Sequence, residues 1–173
     1  MLKYYYHENV YRPSAESHTF QEISQMGLEM LGAVDEEAVE QAVCLAAQSL
    51  EQLGRPWVLE VSHMGYLFGL FDALSVPETA RPGLLAALRA KNIHELRAAA
   101  AAAGLESAGA DALTALLELS GDYAAVLPRA EALCRNARMR EAAAELRTLA
   151  APLAQAGGTA RLDLTLAGEM EYY

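Results

Sequence analysis

The segment "TFQEISQMGLEMLG", residues 19–32, follows the tyrosine-rich run "YYYHENVYR" at residues 4–12, and these two runs give the clearest indication of the fold. Tyrosine and valine favour the extended backbone of a strand, so both runs predict strands. The segment "PSAES", residues 13–17, lies between them and has the composition of a connecting loop. The pattern therefore predicts a long hairpin from Leu2 to Leu31.

The second arm of this hairpin has two different faces. Side chains alternate along a strand, so one face carries Gln21, Ile23, Gln25, Gly27, Glu29 and Leu31. Because Gly27 has no side chain, a small molecule could approach the backbone between the Gln25 amide and the Glu29 carboxylate. This arrangement predicts the floor of a pocket. The alternative is that both are ordinary solvent-facing side chains of a half-buried strand.

A helix and a further strand follow the hairpin. Asp35 precedes Glu36 and Glu37, an acidic start that is typical of a helix N-terminus. Gly54 is placed to end this helix, and "RPWVLEVSH", residues 55–63, predicts the next strand. The helix is expected to bury one apolar stripe, formed by Val39, Val43, Ala46, Leu50 and Leu53.

Residues 78 to about 156 are rich in alanine and leucine and predict a run of helices. The chain then returns to strand, where Leu162, Leu164 and Leu166 alternate with Arg161, Asp163 and Thr165. We expect this strand to pair with an earlier one. The sequence therefore predicts an α+β fold in which the helices form an insertion between strands of one sheet.

Composition limits the classes of function. The 173 residues contain 13 basic and 23 acidic side chains, and the formal charge of -10 repels nucleic acid and anionic lipid. No apolar window is long enough to span a membrane, and the polar start is unlike a signal peptide, so we expect a cytoplasmic protein. Cys44 and Cys134 have no nearby partner cysteine or histidine in sequence, so we expect packing roles for them and no metal or cofactor.

The two hairpin runs carry a family resemblance. "YYYHENVYR" followed by "QEISQMGLEMLGA" resembles the second signature motif of histidyl-tRNA synthetases and of their paralogue, the regulatory subunit of ATP phosphoribosyltransferase. The segments "LEVSHMGYLFGLFDAL", "LRAKNIHEL" and "LDLTLAGEMEYY" follow in the family's order. The resemblance implies a class II synthetase-like antiparallel sheet with packed helices, in which residues 1–173 form a single core fragment or shortened form with the helical insertion at about 78–156.

The resemblance also implies roles for particular residues. Arg12 stands where the family's arginine grips the ATP phosphate and the substrate carboxylate, chemistry that suits a guanidinium. Gln25 and Glu29 match the glutamine and glutamate that hold the amino group of histidine. Tyr172 and Tyr173 match the two tyrosines that line or underlie the histidine pocket.

Three departures from the family pattern indicate that adenylate formation is lost. The family segment resembles "RGLDYY", with an arginine that neutralises charge on the carboxylate. Here the segment is "GEMEYY", in which Gly168 replaces the arginine and Glu169 and Glu171 add negative charge. In the loop, Pro13 follows Arg12, and Gln21 stands where an arginine usually precedes the glutamate.

Each residue also has a plainer interpretation. Arg12 could pair across the hairpin with Glu8, Glu16 or Glu22, an exposed arrangement that contributes little. Tyr172 and Tyr173 could be core or interface aromatics. His63 could contact a ligand, although a histidine satisfied by backbone groups is commoner.

The function that the resemblance implies is that of a non-catalytic regulatory subunit. It would partner the catalytic subunit of ATP phosphoribosyltransferase in the first step of histidine biosynthesis, bind histidine, and have no catalytic residues of its own. We also expect self-association through sheet edges. Two alternatives remain: a fragment of a histidyl-tRNA synthetase, and a structural assembly module whose pocket residues are relics.

Overall fold

The computed structural model describes residues 1–13, 19–156 and 159–167. The chain divides into two compact units, Met1–Ala42 and a second unit that begins at Val43. The secondary structure is α+β, which confirms the predicted fold class. The expectation that residues 1–173 form a single core stays a prediction.

The first unit contains the predicted hairpin. Strand β1 (Leu2–Pro13) pairs with β2 (Phe20–Leu31) in antiparallel fashion, and the register places Tyr6 opposite Gly27 and Arg12 opposite Gln21. The strands form because tyrosine, valine and isoleucine fit a pleated backbone. This pairing fixes which side chains of the two strands share a face.

Helix α1 (Glu36–Glu51) begins where the sequence predicts, because Oδ1 of Asp35 accepts a hydrogen bond from the backbone N–H of Ala38 at 2.9 Å. Gly54 follows the helix with a φ of 61°, a conformation that glycine adopts without strain. The predicted apolar stripe is only partly present, because Val43 and Leu50 are half-buried whereas Val39 and Leu53 are exposed. The fully buried residues of α1 are Ala38 and Ala47, which are nine residues apart and so lie on opposite sides of the helix.

The second unit is mainly helical. After β3 (Val58–Val61), its helices include α2, which directly follows that strand, and α7, the longest of the described helices. The elements in chain order are α2 (Met64–Ala73), a 3₁₀ turn (Glu78–Ala80), α3 (Arg81–Arg89), α4 (Ile93–Ala102), α5 (Ser107–Leu116), β4 (Ser120–Asp122), α6 (Tyr123–Ala132), α7 (Ala137–Gln155) and β5 (Thr159–Asp163). The run of helices predicted for residues 78–156 is therefore present, with β4 as an unpredicted interruption.

The second unit also contains a three-stranded sheet, in which the strand order is β3-β5-β4. As predicted, β5 pairs with an earlier strand, and the helices lie between the two in sequence. The β3–β5 pair is parallel, whereas the family resemblance implies antiparallel pairing; β4 is antiparallel to β5. A parallel pair requires a crossover, which the helices from α2 to α7 supply.

Two buried tyrosines tie the helices of this unit together. The Tyr66 hydroxyl donates to the backbone oxygen of Ala130 at 2.7 Å, and the Tyr123 hydroxyl donates to that of Leu146 at 2.6 Å. Burial raises the pKa of Tyr123 to about 12 and raises the pKa of Tyr66 further still. Both phenols therefore remain neutral, and each stabilises the core as a hydrogen-bond donor.

The predicted alternation along β5 fails at its end. Asp163 and Thr165, expected on the opposite face from the leucines, are both buried, as are Leu162 and Leu164. The reason is a turn: Oδ1 of Asp163 accepts hydrogen bonds from the backbone N–H of Thr165 at 3.0 Å and from its hydroxyl at 2.6 Å. A carboxylate that bonds the backbone two residues ahead ends the strand at Asp163.

Candidate functional site

The hairpin brings most of the predicted site residues to one face. Directly opposed residues of an antiparallel pair point to the same side, so the register places Arg12, Gln25, Gly27 and Glu29 on the same side of the hairpin. All four are half-buried. We call this side the pocket face; it carries Tyr4, Tyr6, Glu8, Val10 and Arg12 of β1 and Gln21, Ile23, Gln25, Gly27 and Glu29 of β2.

The four residues are not equally close. Arg12 lies opposite Gln21, which is four residues from Gln25 and eight from Glu29 along β2. At about 3.4 Å per residue these separations are roughly 14 and 27 Å. Arg12 therefore lies at the loop end of the pocket face, apart from the group around Gly27.

The space above Gly27 is filled by a side chain. A Cβ atom at this position would lie 2.3 Å from Cζ and the hydroxyl oxygen of Tyr6, so the tyrosine ring covers the glycine. The prediction that a small molecule could approach the Gly27 backbone is therefore wrong for this conformation. Glycine is required here because an aromatic side chain crosses from the opposite strand, an arrangement known to stabilise glycine in sheets.

Tyr6 also contacts one of the predicted site residues directly. Nε2 of Gln25 donates a hydrogen bond to the Tyr6 hydroxyl at 2.7 Å. This bond fixes the plane of the Gln25 amide and turns its carbonyl oxygen, Oε1, away from the phenol. Sequence reasoning missed Tyr6, although a glycine inside a strand paired with a run of tyrosines is a signal for such a contact.

Glu29 lies on the other side of Gly27 and opposite Tyr4. Glu29 as a residue is half-buried, and its carboxylate makes no hydrogen bond or ion pair with another residue in the described parts of the chain. An ionised carboxylate accepts hydrogen bonds and attracts cations. Glu29 is thus an acceptor suited to a positively charged group.

The opposite face of the hairpin carries a different set of contacts. Nδ2 of Asn9 donates to Oε1 of Glu22 at 2.6 Å, and Nε2 of His7 lies 3.0 Å from the Ser24 hydroxyl. Glu22 therefore points away from Arg12, whereas Glu8 shares the pocket face with it. Glu16, the third carboxylate considered as a partner for Arg12, lies outside the described residues.

The predicted ligand-binding residues Tyr172 and Tyr173 also lie outside the described residues. The same holds for Gly168, Glu169 and Glu171, on which the predicted loss of adenylate formation depends. Their roles stay predictions.

The second unit contains a buried carboxylate that sequence reasoning did not single out. The Asp163 side chain is 2% exposed, and its Oδ2 accepts hydrogen bonds from Nζ of Lys91 at 2.6 Å and from the Ser120 hydroxyl at 2.9 Å. Although burial raises the pKa of Asp163, the hydrogen bonds from Lys91, Thr165 and Ser120 lower it to about 2. Asp163 is therefore ionised at neutral pH and links β5 to α3 and β4.

Lys91 reaches Asp163 from an unusual backbone conformation. Its φ is 50°, in the left-handed region that residues other than glycine rarely adopt. The residue follows α3, and its backbone N–H donates to the oxygen of Leu88 at 2.9 Å. The backbone N–H of the next residue, Asn92, donates to the oxygen of Ala87 at 3.2 Å, so Lys91 is the left-handed residue that ends α3.

His63 is satisfied by the protein itself, but by one backbone group and one carboxylate and not by backbone groups alone, as the plainer interpretation predicted. Its Nδ1 accepts a hydrogen bond from the backbone N–H of Gly65 at 3.0 Å, which caps α2, and its Nε2 lies 2.7 Å from Oε2 of Glu145. With both ring nitrogens engaged, His63 has a structural role at the start of α2.

In the described ranges, no group of three or more histidine, cysteine, aspartate or glutamate side chains is arranged to hold a metal ion. The helices in those ranges are also too short or too polar to cross a membrane.

Comparison with known proteins finds one matching family model and several similar proteins. A family model described as histidyl-tRNA synthetase matches residues 1–173. The ATP phosphoribosyltransferase regulatory subunit of Anaeromyxobacter dehalogenans is 40% identical over 127 residues, which are 72% of this chain and 35% of that protein. The protein of the same name from Thermus thermophilus is 32% identical over 159 residues, or 92% of this chain and 43% of the relative.

A solved structure has the same fold. The ATP phosphoribosyltransferase regulatory subunit/histidyl-tRNA synthetase from Bacillus halodurans superimposes with a TM-score of 0.83 at 28% identity, covering 99% of this chain and 45% of that one. The chain thus spans less than half the length of each of these three relatives.

Proposed function

The chain belongs to the histidyl-tRNA synthetase family, and on this premise we propose that it is a non-catalytic regulatory subunit of ATP phosphoribosyltransferase. In this role it supports the catalytic subunit in the first step of histidine biosynthesis and performs no chemistry itself. The observation that carries the proposal is the shared name of its relatives, which are regulatory subunits at 32–40% identity. A biosynthetic role of this kind predicts a cytoplasmic location.

The pocket face supports histidine as the ligand of this subunit. Glu29, a half-buried residue, offers a carboxylate without a partner among the described residues, and Gln25 offers a carbonyl oxygen on the same face. Two acceptors of this kind suit the ammonium group of a free amino acid. The Arg12 guanidinium suits a carboxylate, but Arg12 lies at the loop end of the pocket face, roughly 14 Å from Gln25 along β2, and so apart from these two acceptors. Tyr172 and Tyr173 complete the proposed ligand set.

Regulation through this site requires that histidine bind two states of the assembly with different affinity. A ligand shifts an equilibrium only by its differential affinity for the two states. The subunit therefore acts by favouring one arrangement of the catalytic partner. Because it forms no adenylate, its pocket does not need the arginine that neutralises the histidine carboxylate in the family. The replacement of the family arginine by Gly168 agrees with this role.

The activity of the catalytic subunit tests the proposal. Phosphoribosyl transfer to ATP is measured for the catalytic subunit alone and after addition of this chain, with and without L-histidine. We expect activity to rise on addition of the chain and to fall with L-histidine. Activity that is the same with and without the chain contradicts the regulatory role.

Two observations are also consistent with the two alternative functions, a synthetase fragment and a structural module. The matching family model is that of histidyl-tRNA synthetase, so a synthetase fragment remains a candidate; histidine-dependent exchange of pyrophosphate into ATP would reveal it. The Tyr6 ring over Gly27 suits a module whose pocket is a relic. In that case L-histidine leaves the thermal unfolding midpoint unchanged, because a ligand that does not bind cannot stabilise the folded state.

We also propose that the chain associates with a second copy of itself. In the described residues β1 and β2 form a sheet of only two strands, and a two-stranded sheet is marginally stable alone. The face of the hairpin opposite the pocket face exposes large apolar side chains to solvent, including Tyr5, which is 90% exposed, and Met26, which is 77% exposed. Covering these side chains with a second copy removes apolar surface from water.

A further inference from the structure

The Tyr6 side chain occupies the centre of the pocket face. Its ring covers Gly27, midway between Gln25 and Glu29 along β2, and its hydroxyl accepts the hydrogen bond from Gln25. Tyr6 is itself half-buried. The side chain therefore touches both the glycine and the amide that sequence analysis assigned to the site.

The hydrogen bond determines which end of the Gln25 amide is available. An amide presents a carbonyl acceptor at one end and two N–H donors at the other. Because Nε2 is turned to the Tyr6 hydroxyl at 2.7 Å, the acceptor end, Oε1, is the one left to meet a ligand. Without the phenol the amide is free to rotate and could present N–H donors instead.

The chemistry around the ring favours a cation with N–H groups. Gln25 precedes Gly27 by two residues and Glu29 follows it by two, and the Glu29 carboxylate has no ion-pair partner among the described residues. Between them is an aromatic ring, whose face attracts a cation. Three acceptors of positive charge thus line a strip of one face.

We propose that Tyr6 is the floor and the positioning residue of an ammonium-binding site formed with Gln25 and Glu29. The ligand class is a primary ammonium, as in a free amino acid. The ring contacts the ammonium, and the hydroxyl holds Gln25 with its oxygen towards it. This inference rests on the proposed function, because it assigns a residue to the same histidine site.

Calorimetric titration with L-histidine tests the assignment in four proteins: the wild type, Tyr6→Phe, Tyr6→Leu and Tyr5→Phe. Tyr5→Phe is the matched control, because Tyr5 also lies on β1 but points to the opposite face. Tyr6→Phe keeps the ring and removes the hydroxyl, so we expect the dissociation constant to rise by roughly threefold to tenfold. Tyr6→Leu removes the ring as well, and the added loss of the cation–π contact makes its effect larger still.

A second ligand separates positioning from structural damage. N-acetyl-L-histidine has no ammonium group, so Tyr6→Phe should not change whatever weak affinity the wild type has for it. The thermal unfolding midpoint of Tyr6→Phe should match that of Tyr5→Phe. Together these results assign the effect to the ammonium rather than to the fold of the hairpin.

The outcomes distinguish this inference from the proposed function. If the wild type binds L-histidine and both Tyr6 variants bind it equally well, the role of Tyr6 is overturned and the histidine site stands. If the wild type binds no L-histidine, the histidine site and the role of Tyr6 are both overturned, and only the assembly role remains. Weaker binding in the order wild type, Tyr6→Phe, Tyr6→Leu supports the assignment, with Tyr6→Phe decisive if Tyr6→Leu fails to fold.

Discussion

Nζ of Lys91 lies 2.6 Å from Oδ2 of Asp163, although the two residues are 72 positions apart in the chain. Asp163 is buried at the end of β5, and Lys91 reaches it from the end of α3 with half of its side chain exposed. The same carboxylate binds Ser120 at the start of β4 and Thr165 in the following turn. One side chain therefore holds four segments of the second unit.

Replacing Asp163 by Asn should lower the stability of the second unit. The substitution keeps the size of the side chain but places an N–H donor or a neutral oxygen against Lys91, so we expect a loss of about 2–4 kcal/mol in the free energy of unfolding. Urea denaturation measures it. The matched control is Asp111→Asn, which breaks the exposed pair with Arg97 and should cost less than about 1 kcal/mol. Equal costs for the two variants would refute the structural role of Asp163.

The stability difference between the wild type and Asp163→Asn should depend on pH. The pKa of Asp163 in the folded protein is about 2, below its ordinary value in an unfolded chain, which is about 3.9. Its contribution is therefore fully present above about pH 4 and is lost as the pH falls towards 2. The linkage corresponds to a contribution on the order of 2 kcal/mol. Unfolding measured between pH 2 and 6 checks this, and a difference that is constant over this range would rule it out.

Replacing Gly27 by Ala should disturb the hairpin. The new methyl group would lie 2.3 Å from the Tyr6 ring, so either the ring must move or the strands must separate, at a cost of about 1–3 kcal/mol. Hydrogen exchange of the β1 and β2 amides reports this local loss of protection. The cost should be smaller in a protein that already carries Tyr6→Ala, because the clash is then absent. Independent, additive effects of the two substitutions would show that the ring does not lie against Gly27.

Replacing Glu29 by Gln should weaken histidine binding, because the substitution removes the counter-charge to the ammonium group. A charged hydrogen bond contributes about 1.5–3 kcal/mol, so the dissociation constant should rise by roughly 10-fold to 100-fold. Calorimetry measures it, with Glu22→Gln on the opposite face as the control. Unchanged affinity in Glu29→Gln would remove this residue from the proposed site.

The hairpin was accessible from the sequence because its signals are local. Alternation along β2 places Gln25, Gly27 and Glu29 on one face without any knowledge of the partner strand, and Asp35 marks the start of α1 by its own side chain. The contact between Tyr6 and Gly27 depends on the cross-strand register. That register is fixed by the length and conformation of the loop, which alternation in one strand does not reveal.

Asp163 was misassigned for a related reason. Alternation assumes that a strand continues, and it therefore placed Asp163 and Thr165 opposite the leucines. The carboxylate instead bonds the Thr165 backbone and ends the strand, which buries consecutive residues. Its partner Lys91 lies 72 positions away, a distance in sequence that no local pattern connects. The parallel pairing of β3 and β5 was missed because a crossover of helices fixes the direction of the strands only in three dimensions.

The most direct test of the proposed role is the mass of the assembly that forms when this chain is mixed with the catalytic subunit of ATP phosphoribosyltransferase. Size-exclusion chromatography with light scattering measures that mass for each protein alone and for the mixture. The regulatory role predicts a single species heavier than either protein alone, containing both chains in a fixed ratio. Two separate peaks at the masses of the isolated proteins, with and without L-histidine, would contradict it.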